Sequence, residues 1–307
     1  KKVATRLEKY GSQLKDGGIN INSLVAAEEA RFAALEEAEK EAKPETRSDL
    51  TPAQIGRMLS TEHHWLFHHE RLHVYRDGYY QPDGERLARA RTQEILGSEA
   101  NEKAGKEVVY WLSVAHYRPP EAVDADNIIN VQNGLLDAKT GKLAPHSPGH
   151  LSTIRLPVAW APAAQHQRFD AFLDEVLPDA ETRSILEEAL GYLLFPDCRY
   201  EKAFMLTGEG ANGKSVLLTA IEAMIGKQNI SNLKLQEVGE RFSTAQLVGR
   251  LANVFADLPR DALQDTGAFK MLVSGDRQKA ERKHKDPFEF ANRAKLWFSA
   301  NELPKTR

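Results

Sequence analysis

Cysteine is almost missing: Cys198 is the only one in 307 residues. That excludes a disulfide framework and any multi-cysteine zinc site, and it suits a reducing, intracellular compartment, bacterial or that of a phage-infected host. The thiol reads as a buried spectator. Long apolar runs are missing too. No stretch reaches the roughly 20 residues that cross a bilayer, and none reads as a secretory leader. Neither sign of charge dominates: 41 Lys and Arg stand against 44 Asp and Glu, a net −3, so a nucleic-acid partner would need a local basic surface. Core-forming residues are not scarce. Hydrophobic residues make up 41%, and the length points to about two domains. The chain opens at Lys1 without a Met and stops inside a motif at Arg307, so it reads as part of a longer protein.

What is present is organised around residues 203–226. Ala203 to Thr207 is a short apolar run that predicts a buried strand. Gly208, Glu209, Gly210, Ala211, Asn212 and Gly213 form a glycine-rich loop, and Lys214 and Ser215 open a helix that stops at Gly226. This is G-x-x-x-x-G-K-S between a strand and a helix, the phosphate-binding loop in the context that supports it. Backbone N–H groups of such a loop turn inward around an anion, and the helix N-terminus adds partial positive charge. Lys214 is expected to reach the β/γ-phosphates, and the Ser215 hydroxyl to bind Mg²⁺. At average residue usage the bare pattern arises by chance in about one chain in a hundred of this length.

Two further apolar strands end in polar residues. Arg250 to Asp257 predicts a neighbouring strand whose carboxylate, Asp257, orients Mg²⁺ or the attacking water. Asp261 and Asp265 follow Pro259, past the strand end. Ala294 to Asn301 predicts a third strand, with the Asn301 amide placed to bond a γ-phosphate or the lytic water. Between them lies a local basic surface: Arg277, Lys279, Arg282, Lys283 and Lys285 with His284, against one acid, Glu281. Asp286-Pro287 makes a turn and Phe288 to Phe290 returns as a strand, giving a basic hairpin suited to nucleic-acid phosphates. A solvated charged loop is the plainer alternative.

The residues before 196 carry less chemistry. Residues 1–22 read as a linker. Ser23 to Ala42 predicts a helix with a narrow stripe of Leu24, Ala27, Leu35 and Ala38, ended by Pro44: a surface helix or a subunit-contact arm. A helix follows from Thr51-Pro52 to about Ser60, then a hairpin from Leu72 to Arg76, through Asp77-Gly78, to Tyr79-Tyr80. His63, His64, His68, His69 and His73 invite a metal, but no acid or cysteine completes a ligand set, and a solvated, hydrogen-bonding face is the expected role. Helices are expected at Leu87–Leu96 and Glu99–Ala115, strands around Asn133-Gly134, an extended segment at Leu151–Trp160, and helices at Phe169–Leu177 and Glu181–Leu194. The expected organisation is therefore a linker and amphipathic helix (1–48), a mostly helical domain (49–195) and an ATPase core (196–307).

The ordered segments G-E-G-A-N-G-K-S, L-A-N-V-F-A-D-L-P, S-G-D through E-R-K-H-K-D-P-F-E-F, and K-L-W-F-S-A-N-E-L-P resemble the superfamily 3 helicases. Among these the phage and plasmid primase–helicases, related to the poxvirus primase–helicase, are most similar. Residues 129–148 and L-E-E-A-L-G-Y-L-L resemble that group's segment before its ATPase core. The resemblance covers roughly residues 120–307. It implies an α/β, AAA+-like P-loop core, a homo-hexameric ring with ATP between subunits, single-stranded DNA in a central channel, and 3′-to-5′ translocation. It carries channel contacts with the DNA backbone to Lys283 and His284, with Lys285 in support. It carries phosphate binding to Gly208, Gly213, Lys214 and Ser215, the metal/water carboxylate to Asp257, and the sensor role to Asn301. A primase domain upstream is compatible with it. Two departures stand out. Ala256 precedes Asp257 where the family often has a second acid, and the family's arginine finger, which lies after the sensor strand and supplies about 10³- to 10⁵-fold in comparable systems, is assigned to no residue here. A DNA-binding assembly or initiator module with little turnover, or a P-loop ATPase acting on protein, are the alternatives.

Overall fold

The computed structural model describes residues 50–125, 127–240, 242–258, 266–283 and 287–302. The expected helix at 23–42, Asp261, Asp265, His284, Lys285 and the residues after Glu302 lie outside that set.

Helix α1 (Pro52–Glu62) starts where Thr51 caps it. The Thr51 hydroxyl accepts from the Gln54 N–H, the Gln54 side chain accepts from the Thr51 N–H, and Pro52 needs no partner for a missing donor. Strands β1 (Trp65–His68), β2 (Arg71–Arg76) and β3 (Tyr79–Gln81) form an antiparallel meander, the second turn being the expected Asp77-Gly78 pair with φ of 51° and 85°. Helices α2 (Gly84–Leu96) and α3 (Glu102–Ala115) close a core around Ile55, Leu59, Val74, Val108 and Leu112. A second small sheet, β4 (Ile128–Val131), β5 (Gly134–Asp137) and β6 (Leu143–Ala144), follows. Residues 151–160 run beside it without forming a ladder: the Asn130 carbonyl accepts from the Leu156 N–H, and the Gln132 N–H donates to the Val158 carbonyl. Helices α4 (Gln167–Val176) and α5 (Ala180–Tyr192) complete this half. Helices outweigh strands before residue 195, as expected, but two antiparallel sheets are built in with them.

The remainder is a parallel sheet. β7 (Phe204–Thr207) leads into α6 (Lys214–Ile225), followed by β8 (Ile230–Ser231) and β9 (Ala252–Phe255). Then come α7 (Thr266–Ser274), the hairpin β10 (Arg277–Ala280) and β11 (Phe288–Ala291), and β12 (Lys295–Ala300). The sheet order is β7-β12-β9-β8, all parallel, with Trp297 opposite both Phe204 and Val254. All six residues of the inner strand β12 are buried, the apolar Leu296, Trp297, Phe298 and Ala300 together with the polar Lys295 and Ser299. Trp297 stacks on Phe204 with centroids 4.4 Å apart. One hydrophobic cluster joins Leu173, Leu186 and Leu193 from the α4–α5 region to Leu217 and Ile221 of α6 and to Trp297. Each such side chain contributes about 1.5–3 kcal/mol on burial.

Two expectations change. β7 is half-buried, because it is an edge strand with β12 on one side only. And β9 is not its neighbour: β12 inserts between them, since chain order does not fix spatial order across parallel crossovers. Cys198 is buried as expected; burial pushes its thiol up to about 11, which keeps it unreactive.

Candidate functional site

The loop after β7 owes its shape to positive φ angles at Gly208 (150°), Ala211 (60°) and Gly213 (84°). Gly213 is doubly constrained: a Cβ there would meet Val176 Cγ1 at 2.7 Å and Phe172 Cε2 at 3.1 Å, both on α4. A Cβ at Gly210 would meet nothing within 4 Å, so the loop is open on that side. The half-buried Lys214 curls over the loop. Its Nζ donates to the carbonyls of Gly208 (2.6 Å) and Glu209 (2.9 Å) and to Asn212 Oδ1 (2.9 Å). Among the described residues it has no carboxylate partner. Ser215, next on α6, is exposed.

The sheet brings the other expected residues to the same edge. Ala300 lies opposite Thr207 across β12 and β7, and Phe298 opposite Phe255 across β12 and β9. The residues that follow these strands, Gly208, Asn301 and Asp257, therefore emerge side by side, with Asn301 in the middle. Asp257 takes φ of 55°, and its N–H donates to Ser299 Oγ at 3.2 Å. Its carboxylate and the Asn301 amide are exposed and make no hydrogen bond or ion pair among the described residues. Ser299 is a contributor that sequence reasoning passed over, whereas Asn212, a member of the expected loop, accepts from Lys214. The trace of Ser299 was a polar residue inside an otherwise apolar strand.

Beside the loop lies a cavity of about 330 Å³ whose walls include Val176, Leu177, Ile185, Phe204, Gly213 and Lys214. It is mainly apolar and touches the loop at one end, the usual form of a small-molecule site. Its α4 and α5 walls had no signature in the sequence.

The basic hairpin forms as expected, with Gln278 opposite Phe290. Lys283 is exposed at its described end. Arg282 Nη1 donates to the His69 carbonyl at 3.1 Å, which docks the hairpin on the β1–β2 turn. Two of the five histidines depart from expectation, while His64 is exposed. His68 and His73 are 4% and 6% exposed, buried within the β1–β2 sheet rather than on a solvated face. Burial lowers His69 and His73 to about 4 and His68 further, leaving them neutral. Among the described residues no group of three or more His, Cys, Asp or Glu is placed to hold a metal ion. No helix among the described residues is long and apolar enough to cross a membrane.

Residues 206–307 match a family of unknown function (DUF5906), and residues 21–178 match the family described as D5 N terminal like. A putative helicase of Acanthamoeba polyphaga mimivirus is 24% identical over 194 residues, covering 59% of this chain and 20% of that protein. A putative helicase of Invertebrate iridescent virus 3 is 28% identical over 144 residues, covering 43% of this chain and 15% of that protein. The chain thus spans a fifth or less of these relatives' length. The A form apo structure of the NrS-1 C terminal region is similar with TM-score 0.56 at 14% identity, over 84% of this chain and 58% of that one. A further apo structure of that region gives 0.53 at 14%, over 83% and 58%. This likeness is one of fold. The match to residues 21–178 takes in just over half of the 307 residues, and the chain belongs to the D5 N terminal-like family, in agreement with the primase–helicase resemblance of its motifs.

Proposed function

We propose that this chain is the motor part of an ATP-dependent replicative DNA helicase. The observation that carries the reading is the emergence of the Gly208–Ser215 loop, Asn301 and Asp257 side by side from adjacent strand ends of one parallel sheet. The names of the viral relatives support it.

The residues present fit a nucleoside triphosphate with Mg²⁺. Loop N–H groups and Lys214 hold the β- and γ-phosphates. The Ser215 hydroxyl and the Asp257 carboxylate would hold the metal, which when bound would supply positive charge to the phosphate oxygens. The Asn301 amide orients the lytic water or contacts the γ-phosphate. The apolar cavity beside Phe204 and Ile185 takes the base. Lys283, with His284 and Lys285, grips the DNA backbone in the channel of a homo-hexameric ring inside the infected or host cell. Ala256 leaves Asp257 as one carboxylate for both metal and water. That favours, as second reading, a nucleotide-binding assembly module with slow turnover.

ATP hydrolysis measured with and without single-stranded DNA tests the reading. Lys283→Ala with His284→Ala keeps basal turnover and loses the stimulation by DNA. Equal stimulation in that variant removes the hairpin from the account.

A further inference from the structure

A cleft between the β1–β2 turn and the edge of the parallel sheet has a composition that the motor chemistry does not use. Its inner part, about 140 Å³, is lined by His68, His73, Arg71, Gly249, Arg250 and Arg282, with further neutral residues and no carboxylate. These basic residues come from four separate segments: β1, β2, the turn before β9, and the end of β10. Like charges are crowded here. Burial first, and the neighbouring Arg71 second, push the guanidinium groups of both Arg250 and Arg282 below their ordinary value. Arg250 donates to the Gln228 carbonyl, yet among the described residues its buried Nε has no partner, nor does the buried His68 Nδ1. Arg282 is held over the Phe288 ring at 4.6 Å and donates to the His69 carbonyl. The Arg71 side chain is exposed and makes no ion pair among the described residues. Of the nearby acids, Glu70 lies on the β1–β2 turn and Glu281 in the outer groove, while the buried Asp124, which acts on His69 and His73, is taken up by Arg293 and by the Ser152 and Thr153 hydroxyls.

Converging guanidinium groups, one with an unpaired buried N–H, and no carboxylate inside call for an anion. The dimensions narrow its identity. The inner space is well under the roughly 300 Å³ that a drug-sized ligand needs, so it admits a single phosphate group and not a nucleotide. It opens into an outer groove of about 500 Å³ that shares Arg71, Arg250, Arg282 and Val248 with it and adds Lys283 and Phe242. The Phe242 ring is 42% exposed, a surface on which a base stacks. We propose that this cleft is a second nucleic-acid contact, in which Arg71, Arg250 and Arg282 clamp a phosphodiester of a single strand whose neighbouring phosphate lies on Lys283. The inference rests on the DNA reading above and adds to it a site built jointly by the β1–β3 sheet and the ATPase core. Arg282 belongs to both, so a strand seated in the cleft would also fix the base of the hairpin.

The test is the binding of a fluorescein-labelled oligothymidylate to the full chain, followed by anisotropy across a salt series. Each phosphate of a single strand that the protein no longer neutralises lowers the slope of log K against log salt by about 0.7. Arg71 is on the surface, so Arg71→Ala and Arg71→Glu are expected to fold as the wild type does. The expected result is a several-fold weaker affinity and a slope reduced by about 0.7 for Arg71→Ala, near-normal slope for Arg71→Lys, and a larger loss for Arg71→Glu. Replacing the phosphodiesters by neutral methylphosphonates should erase the difference between wild type and Arg71→Ala. Wild-type binding with unchanged affinity and slope in both Arg71→Ala and Arg71→Glu overturns this inference alone. A wild type that binds no single-stranded DNA overturns it together with the DNA reading. If Arg71→Glu instead weakens only ATP, titrated as a fluorescent analogue, the cleft serves the nucleotide and the inference fails.

Discussion

The backbone N–H of Asp257 donates to the hydroxyl of Ser299 across 3.2 Å. One residue on, the Leu258 N–H donates to the Ser299 carbonyl at 2.9 Å. Ser299 thus holds, from the central strand, the reversal after β9. That reversal puts Asp257 at φ of 55°, a region that costs a non-glycine residue about 1–2 kcal/mol. The strain leaves the carboxylate exposed at the same sheet edge as Asn301 and the phosphate loop.

Ser299→Ala should therefore loosen Asp257 without touching substrate. A hydrogen bond of this kind contributes about 0.5–1.5 kcal/mol, so kcat for ATP hydrolysis should fall about three- to tenfold with KM little changed. Asp257→Asn should lose far more in kcat and keep nucleotide binding. Steady-state kinetics of both variants check the ranking, and a wild-type kcat in Ser299→Ala would separate Ser299 from the site.

Gly213→Ala should be worse than an ordinary loop change. The φ of 84° strains any side chain, and the new methyl would sit 2.7 Å from Val176 Cγ1. Nucleotide affinity should drop more than about tenfold and the melting temperature should fall. Adding Val176→Ala relieves the contact but not the φ, so rescue should be partial. Full rescue in calorimetric titration would show that packing alone constrains Gly213.

The buried histidines set a pH limit on stability. His69, His73 and His116 are lowered to about 4, chiefly by burial, against about 6.5 in the unfolded chain. Between those values the unfolded chain binds more protons than the folded one. Stability is therefore full above about 6.5 and is lost as pH falls toward 4. Urea midpoints should decline between pH 7 and pH 5, before most carboxylates titrate. His116→Gln, able to keep the 2.8 Å pairing with Ser60 Oγ, should flatten that decline. A profile parallel to the wild type would mean that His116 takes no part in it.

The elements of the ATPase core were legible because each is written locally. The glycines and the Lys214-Ser215 pair mark the loop, and the apolar runs ending at Asp257 and Asn301 mark the strands. The basic run, the Asp286-Pro287 turn and the alternating Phe288-Glu289-Phe290 mark the hairpin. Spatial order was not legible: nothing in the runs themselves says that β12 lies between β7 and β9. Nor was the packing of Phe172 and Val176 on Gly213, which links residues far apart in the chain. The histidines misled because their polarity suggested solvent, whereas pairing of β1 with β2 turns His68 and His73 inward.

The central claim is that Lys214 acts on a triphosphate whose hydrolysis drives the protein along DNA. Its most direct test is ATP turnover and strand separation by Lys214→Ala beside the wild type. Both activities should be present in the wild type and both absent from the variant, with the fold retained by circular dichroism. Unwinding that survives Lys214→Ala would contradict the account.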